Sequence, residues 1–353
     1  MTKLSQKKRK AVSLISGGLD SLLATKAMIE QGIHVEGINF FTGFCVEGHT
    51  HAIRKNKNSK PKRNSSLWVA EQLGIKLHIV DIVEEYKDVV LNPKHGYGAN
   101  LNPCLDCKIF MVKKAHEWIA ENDFDFIVTG EVIGQRPMSQ RRETMPIIAA
   151  ESGADELLLR PLCAQNLPAT KPEKEGWVDR EKLFDFSGRN RKPQMALAEK
   201  WKLDDYAQPA GGCCFLTDPN YSDKMKDLLS HRGESRSYEM DDIMLLKIGR
   251  HFRPRDNYKI IVAREEGETR FLQGYRKQFI YIKTASCSGP LTLLDGSDIS
   301  AEDIHLAASI TARYSQGRDE DEVTVLIGKP DEEERELQVK PLKADEINKE
   351  WFL

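Results

Sequence analysis

The stretch Ala11-Val-Ser-Leu-Ile-Ser-Gly-Gly-Leu-Asp-Ser-Leu-Leu-Ala-Thr25 decides the fold class. Ala11 to Ile15 is an apolar run of strand length, Ser16 to Ser21 is a glycine turn, and Leu22 to Gln31 places apolar residues at helical spacing. Strand, tight turn and helix in that order open a parallel α/β sheet. Working outward, Ile33 to Phe40 predicts a second strand. Ser65 to Leu73 predicts a helix closed by Gly74, and Ile75 to Asp81 a third strand. Met111 to Asn122 continues as helix and Phe126 to Thr129 as strand. Between the second strand and its helix, residues 54–63 read as a polar, basic loop.

After Asp185 the pattern changes. Lys192 to Trp201 and Ser222 to His231 read as helices, on either side of the turn Gly211-Gly-Cys-Cys214. Beyond Asp241 the chain becomes β-rich, with strands expected over Ile243 to Ile248, Tyr258 to Ala263, Phe279 to Thr284 and Glu322 to Ile327, and one helix over Ala301 to Tyr314. The expected organisation is a domain over residues 1–190, a connecting segment over 191–239 and a smaller α+β domain over 240–353.

Composition narrows the class further. The 353 residues are 40% apolar and 30% charged with a net charge of −2, which excludes disordered and collagen-like chains. No run approaches the roughly 18 apolar residues of a membrane span. The basic N-terminus leads into the first strand without an apolar signal core, so the chain reads as cytoplasmic. Charge is unevenly spread: residues 1–63 hold 12 Lys/Arg and 4 Asp/Glu, whereas 319–338 hold 9 Asp/Glu and 2 Lys/Arg. The basic end suits a polyanion and the acidic end does not.

The turn Ser16-Gly17-Gly18-Leu19-Asp20-Ser21 lies where a parallel sheet presents its ligand, at the carboxyl end of a strand and the amino end of a helix. The glycines let backbone approach phosphate oxygens, Ser16 and Ser21 can donate, and the helix start supplies positive partial charge. Asp20 makes chemical sense beside phosphate if it holds Mg²⁺. No lysine follows the glycines, so this is not a Walker-type loop.

The full S-G-G-x-D-S after a strand resembles the PP-loop ATP pyrophosphatases. That resemblance implies an adenine-nucleotide hydrolase-like (HUP) parallel sheet and cleavage of ATP to AMP and pyrophosphate. Thr129-Gly-Glu-Val-Ile-Gly-Gln-Arg-Pro-Met-Ser-Gln140 is similar to the corresponding stretch of tRNA thiouridine synthetases. With it, Gly130 and Gln135 join Ser16, Gly17, Gly18, Asp20 and Ser21 as expected ATP-binding residues.

Cys104-Leu-Asp-Cys107 and Cys213-Cys214 are the remaining chemical signal. A C-x-x-C lets two sulfurs face one metal or form a reactive pair, and a helix beginning near Ile109, after Asn102-Pro103, places these thiols close to a helix N-terminus, which favours thiolates. In tRNA thiolation enzymes a P-C-x-x-C segment and a later G-x-C cysteine meet at the nucleotide. This resemblance implies a [4Fe–4S] cluster held by Cys104, Cys107 and one of Cys213 and Cys214, leaving one iron open to sulfide. Two alternatives stay open: a persulfide carrier and its resolving partner at Cys107 and Cys214, or a structural Cys₄ zinc site. Cys45, Cys163 and Cys287 have no partner in sequence and read as ordinary small side chains.

Lys247-Ile-Gly-Arg-His-Phe-Arg-Pro-Arg255 supplies an electrostatic footprint for phosphates, with Lys247, Arg250, Arg253 and Arg255 as the expected RNA contacts. The region 240–340 resembles the NFACT-related RNA-binding domain. The chain departs from the usual 4-thiouridine synthetase layout in showing neither a THUMP nor a rhodanese segment. Sulfur is therefore expected as sulfide or from a separate donor.

The expected function is ATP-dependent thiolation of a tRNA uridine, with Asp20, Cys107 and Cys214 as catalytic residues. Competing classes are a non-catalytic, nucleotide-sensing RNA-binding protein and a PP-loop sulfurtransferase or amidotransferase acting on a small molecule.

Overall fold

A computed structural model describes residues 8–46, 64–203, 205–206, 214–233 and 237–353. The basic loop at 54–63 and Cys213 lie outside the described residues. The chain divides into two compact units, with the boundary between Thr217 and Asp218.

The first unit is built on a five-stranded parallel sheet. β1 (Lys10–Leu14) leads through the glycine turn to α1 (Leu19–Glu30), then β2 (His34–Phe41), α2 (Ser65–Leu73), β3 (Leu77–Asp81), α3 (Val83–Leu91) and α4 (Cys104–Glu121). β4 (Phe126–Val128), α5 (Thr144–Glu151), β5 (Leu158–Leu159) and α6 (Lys192–Lys200) follow. The strand order is β3-β2-β1-β4-β5. β1 is central, pairing in parallel with β2 through Leu14 and Ile38 and with β4 through Ser13 and Val128. From β1 the chain steps one way to β2 and β3 and later resumes on the other side at β4. That reversal opens a crevice at the carboxyl ends of β1 and β4.

α1 is buried almost all round. Leu19, Leu23, Ala27 and Met28 pack into the core with Phe126, Val128 and Leu159, while Leu22 joins Ile15 and Val69. A helix enclosed in this way is held by its apolar contacts, so its amino end is fixed relative to the sheet.

The second unit holds a six-stranded antiparallel sheet. Its elements are α7 (Pro219–Ser230), α8 (Met240–Leu245), β6 (Arg250–Arg255), β7 (Tyr258–Val262), α9 (Glu266–Leu272), β8 (Ile280–Thr284), β9 (Leu291–Gly296), α10 (Ala301–Arg313), β10 (Val323–Gly328) and β11 (Arg335–Val339). The order is β11-β10-β8-β9-β7-β6. α10 covers one face through Ile304, Ala307 and Ile310 against Ile260, Ile282 and Val325, and Leu245, Ile248 and Leu272 pack on the other.

The strand expected at Ile243 to Ile248 is instead α8 followed by a turn. Glu239 and Asp242 form a capping box that starts a helix there, and the apolar residues bury at helical spacing. β6, β9 and β11 escaped the sequence reading. β11 is an edge strand with mostly exposed, charged side chains, so its alternation is masked. Among the described residues no helix is long and apolar enough to cross a membrane.

Candidate functional site

The glycine turn joins β1 to α1 at the crevice. Gly17 has φ of 79°, a left-handed conformation that glycine adopts without strain, and Gly18 is extended at the N-cap of α1. No side chain caps α1, so its first N–H groups face outward without an internal acceptor. The Ser21 hydroxyl donates back to the Gly18 carbonyl at 2.8 Å and lies 3.4 Å from that of Ser16. Thr25 donates to the Ser21 carbonyl at 2.7 Å and pairs with Ser13 on β1, tying helix to strand.

Asp20 is the charged centre of the turn. Gln135 Nε2 donates to Asp20 Oδ2 at 2.5 Å and Arg191 Nη2 donates to the same oxygen at 3.2 Å. Gln194 Nε2 in turn donates to Gln135 Oε1 at 2.8 Å, which orients the amide. Asp20 Oδ1 is buried and has no hydrogen-bond partner. Burial pushes the Asp20 carboxyl above its usual range, although Arg191, Gln135 and Arg136 pull the other way. An orphaned carboxylate oxygen beside open helix N–H groups fits a hard cation.

The strand end carrying Thr129 and Gly130 packs directly on this turn. A Cβ on Gly130 would lie 2.5 Å from the Asp20 carbonyl carbon and 2.6 Å from the Ser21 nitrogen, so the approach requires glycine. Behind it, Glu131 is fully buried. It accepts from Thr129 Oγ1 at 2.9 Å and from Arg160 Nε at 3.0 Å. Burial opposes its charge, while Lys108, Arg160 and Thr129 together hold its carboxyl below the usual range.

The loop over residues 129–140 reaches in two directions. Gln135 holds Asp20, and Ser139 accepts a hydrogen bond from the Cys104 thiol at 3.3 Å. Cys104 and Cys107 both sit in the first turn of α4, which begins earlier than sequence periodicity suggested. The polar Cys104-Leu-Asp-Cys107 stretch carries no apolar repeat to announce the helix.

Cys214 lies opposite Cys45 in an isolated antiparallel bridge, fixed by the Phe215 N–H donating to the Phe44 carbonyl at 2.9 Å. Beneath them is Tyr86, only 2% exposed. Burial raises its phenol well above the usual range, and the Cys107, Cys214 and Cys45 sulfurs raise it further. Cys107, Cys214 and Cys45 thus all act electrostatically on one hydroxyl, at the same carboxyl edge of the sheet as the glycine turn. Cys45 follows β2 and looked partnerless in the sequence, because its partner arrives from the far end of the unit.

Cys163 is buried, donates to the Glu131 carbonyl at 3.2 Å and is pushed up to about 12, as an inert core thiol should be. Among the described residues no group of three or more His, Cys, Asp or Glu converges closely enough to hold a metal ion. With the Cys104 thiol turned to Ser139, Cys104, Cys107 and Cys214 are not gathered as cluster ligands, and the Cys213 of a Cys₄ zinc site lies outside the described residues.

In the second unit the basic segment divides by environment. Arg253 makes a two-bond pair with Asp227, at 2.5 and 2.8 Å. Arg250 lies over the Tyr314 ring at 4.7 Å, and Arg255 is 55% exposed, 3.3 Å from Asp303. The Lys247 ammonium lies 3.6 Å from Met244 Sδ. His251, read with the basic segment, is buried instead. Its Nε2 donates to the Leu245 and Ile248 carbonyls, and burial holds it well below the usual imidazole range.

A parallel sheet whose order reverses beside an uncapped glycine turn, with Asp20 at its centre, defines a PP-loop-type nucleotide fold in the first unit. Residues 6–170 match the family described as thiamine biosynthesis protein (ThiI), and residues 249–352 match the NFACT protein RNA binding domain. The first unit thus contains a region similar to the ThiI family and the second a region similar to the NFACT RNA-binding domain. The chain is 23% identical to a tRNA-specific 2-thiouridylase MnmA of Mesoplasma florum, over 69% of this chain and 65% of that protein. It is 29% identical to a probable tRNA sulfurtransferase of Thermococcus kodakarensis, over 43% of this chain and 36% of that protein. A 4-thiouridine synthetase solved as an RNA complex with bound ATP is 20% identical, with a TM-score of 0.34 over 55% of this chain and 52% of that one. The chain thus spans less than two thirds of the length of these relatives.

Proposed function

We propose that the protein is a tRNA sulfurtransferase that adenylates a uracil carbonyl with ATP and replaces the activated oxygen with sulfur. The observation that carries this reading is the loop over 129–140, which bonds at one end to Asp20 in the glycine turn and at the other to Cys104 beside the thiols. It links a nucleotide-type turn to a sulfur site along one sheet edge.

The open N–H groups of α1 and the backbone at Gly17 and Gly18 would receive the phosphates, with Ser16 and Ser21 as donors. Asp20 Oδ1 would hold Mg²⁺, whose chemistry is to neutralise phosphate charge as pyrophosphate leaves. Gln135 and Arg191 keep the other Asp20 oxygen in place. The uracil oxygen attacks the α-phosphorus, and the adenylated oxygen becomes a leaving group, released as AMP.

Sulfur comes from a donor that loads Cys214 as a persulfide. The Cys107 thiolate attacks Cys214 Sγ, a Cys107–Cys214 disulfide forms, and hydrosulfide departs to attack the activated carbon. Cys107 suits this role because the positive end of α4 faces a negative sulfur. No step is routed through an iron–sulfur cluster, because Cys104, Cys107 and Cys214 are not gathered as its ligands. The NFACT-type unit would supply phosphate contacts through Arg250, Arg255 and Lys247, with Arg253 occupied by Asp227.

The test is an Asp20→Ala chain supplied with ATP, Mg²⁺ and unmodified tRNA. AMP and pyrophosphate formation should fall by at least about a hundredfold, the scale of one lost electrostatic contact at a reacting phosphate, while RNA binding persists. Unchanged turnover would refute the assignment.

A further inference from the structure

Cys45 is the chemical group the proposed reaction leaves unused. It pairs with Cys214 across the isolated antiparallel bridge. The Phe215 N–H to Phe44 carbonyl bond flanks the two cysteines, which makes them a non-hydrogen-bonded pair. In such pairs the Cα atoms stand about 4.5 Å apart, inside the span of about 4.4–6.8 Å that a disulfide bridges. Both residues are partly exposed rather than buried in the core. Thr42 Oγ1 lies 3.5 Å from Cys45 Sγ and can donate to a thiolate there.

We propose that Cys45 is the resolving thiol of Cys214, a third sulfur that clears the site after each turnover. The inference rests on the persulfide reading above. Once sulfur transfer has left a Cys107–Cys214 disulfide, the Cys45 thiolate attacks Cys214 Sγ. The Cys45–Cys214 bond forms as the Cys107–Cys214 bond breaks. The electron pair leaves on Cys107 Sγ, which takes up a proton equivalent to the one Cys45 gave up. The exchange itself involves no net oxidation. A dithiol reductant, itself oxidised to a disulfide, then returns Cys45 and Cys214 to thiols. Only after that reduction can Cys214 be loaded again for the Cys107 thiolate to attack.

The full-length protein would be oxidised with glutathione disulfide, its remaining thiols alkylated, and its peptides mapped without reduction. The wild-type chain should yield a Cys45–Cys214 link, and a Cys45→Ser chain a Cys107–Cys214 link instead. A wild-type map showing only Cys107–Cys214, or no internal link to Cys214, overturns the proposal without relying on any variant. In thiolation with a dithiol present, Cys45→Ser should stop after product equals enzyme while the wild type continues. Sustained turnover by Cys45→Ser overturns the proposal and leaves the persulfide reading standing. A first equivalent of product from Cys214→Ser overturns both.

Discussion

The Gln135 amide donates to Asp20 Oδ2 while its own oxygen accepts from Gln194, so two neutral side chains steer a buried carboxylate whose second oxygen has no partner. That arrangement leaves Asp20 Oδ1 as a buried acceptor with no donor, a position that suits a cation. Replacing Gln135 by Leu removes the donor and strands Gln194. The variant should lose about 1–3 kcal/mol of stability, the cost of unsatisfied buried polar groups, and its AMP formation should fall more than its tRNA affinity. Thermal unfolding and product assays read the two effects separately.

The raised carboxyl of Asp20 gives a pH dependence. A carboxyl whose folded pKa lies above its unfolded value keeps its proton longer when folded, so this group lowers stability as pH rises from 3.8 through the raised value. A cation at Oδ1 needs the ionised form. Stabilisation by Mg²⁺ should therefore grow with pH across that window and vanish in Asp20→Asn. Melting temperatures with and without Mg²⁺ at stepped pH would show it.

Gly130→Ala places a methyl group against backbone, 2.5 Å from the Asp20 carbonyl carbon. Neither partner is the movable end of a side chain. The strand end and α1 must separate, and the expected cost is about 1–3 kcal/mol or more, with nucleotide binding weakened in parallel. A melting temperature equal to that of the parent chain would refute the close approach.

In the second unit the basic residues should separate by role. Arg255→Ala and Arg250→Ala should weaken tRNA binding and each lower the salt slope by about 1. Arg253→Ala should mainly destabilise the unit, because it leaves Asp227 without its two-bond partner. Binding titrations at several salt concentrations, paired with unfolding curves, distinguish the two outcomes.

Lys224 is buried, bonds to the Leu246 and Gly249 carbonyls, and is pushed down to about 8 by burial and by Arg264. The folded lysine is then neutral between about pH 8 and 10.5 while the unfolded one stays charged. Stability of this unit should rise with pH across that window, at up to about 1.4 kcal/mol per pH unit. Lys224→Met should abolish the slope.

Much of the nucleotide turn was legible because its chemistry is local: six consecutive residues join a strand to a helix, and the ligand edge follows from the topology. Gln135 was visible as a loop residue, but its bond to Asp20 was not, since that depends on how β4 returns beside β1. Arg191 and Gln194 were missed for the same reason. Cys45 was misread as an isolated thiol because a single bridge between distant loops leaves no spacing in the chain. His251 sits among arginines in sequence yet is buried, because the turn carrying the Leu245 and Ile248 carbonyls covers its side of the strand.

The most direct test supplies the full chain with ATP, Mg²⁺, unmodified tRNA and a persulfide donor, and counts AMP, pyrophosphate and thiouridine in the same reaction. The account predicts the three products in equal amounts, with thiouridine lost in Cys214→Ser while AMP formation remains. ADP and phosphate as the nucleotide products, or thiouridine formed at the full rate without Cys214, would contradict it.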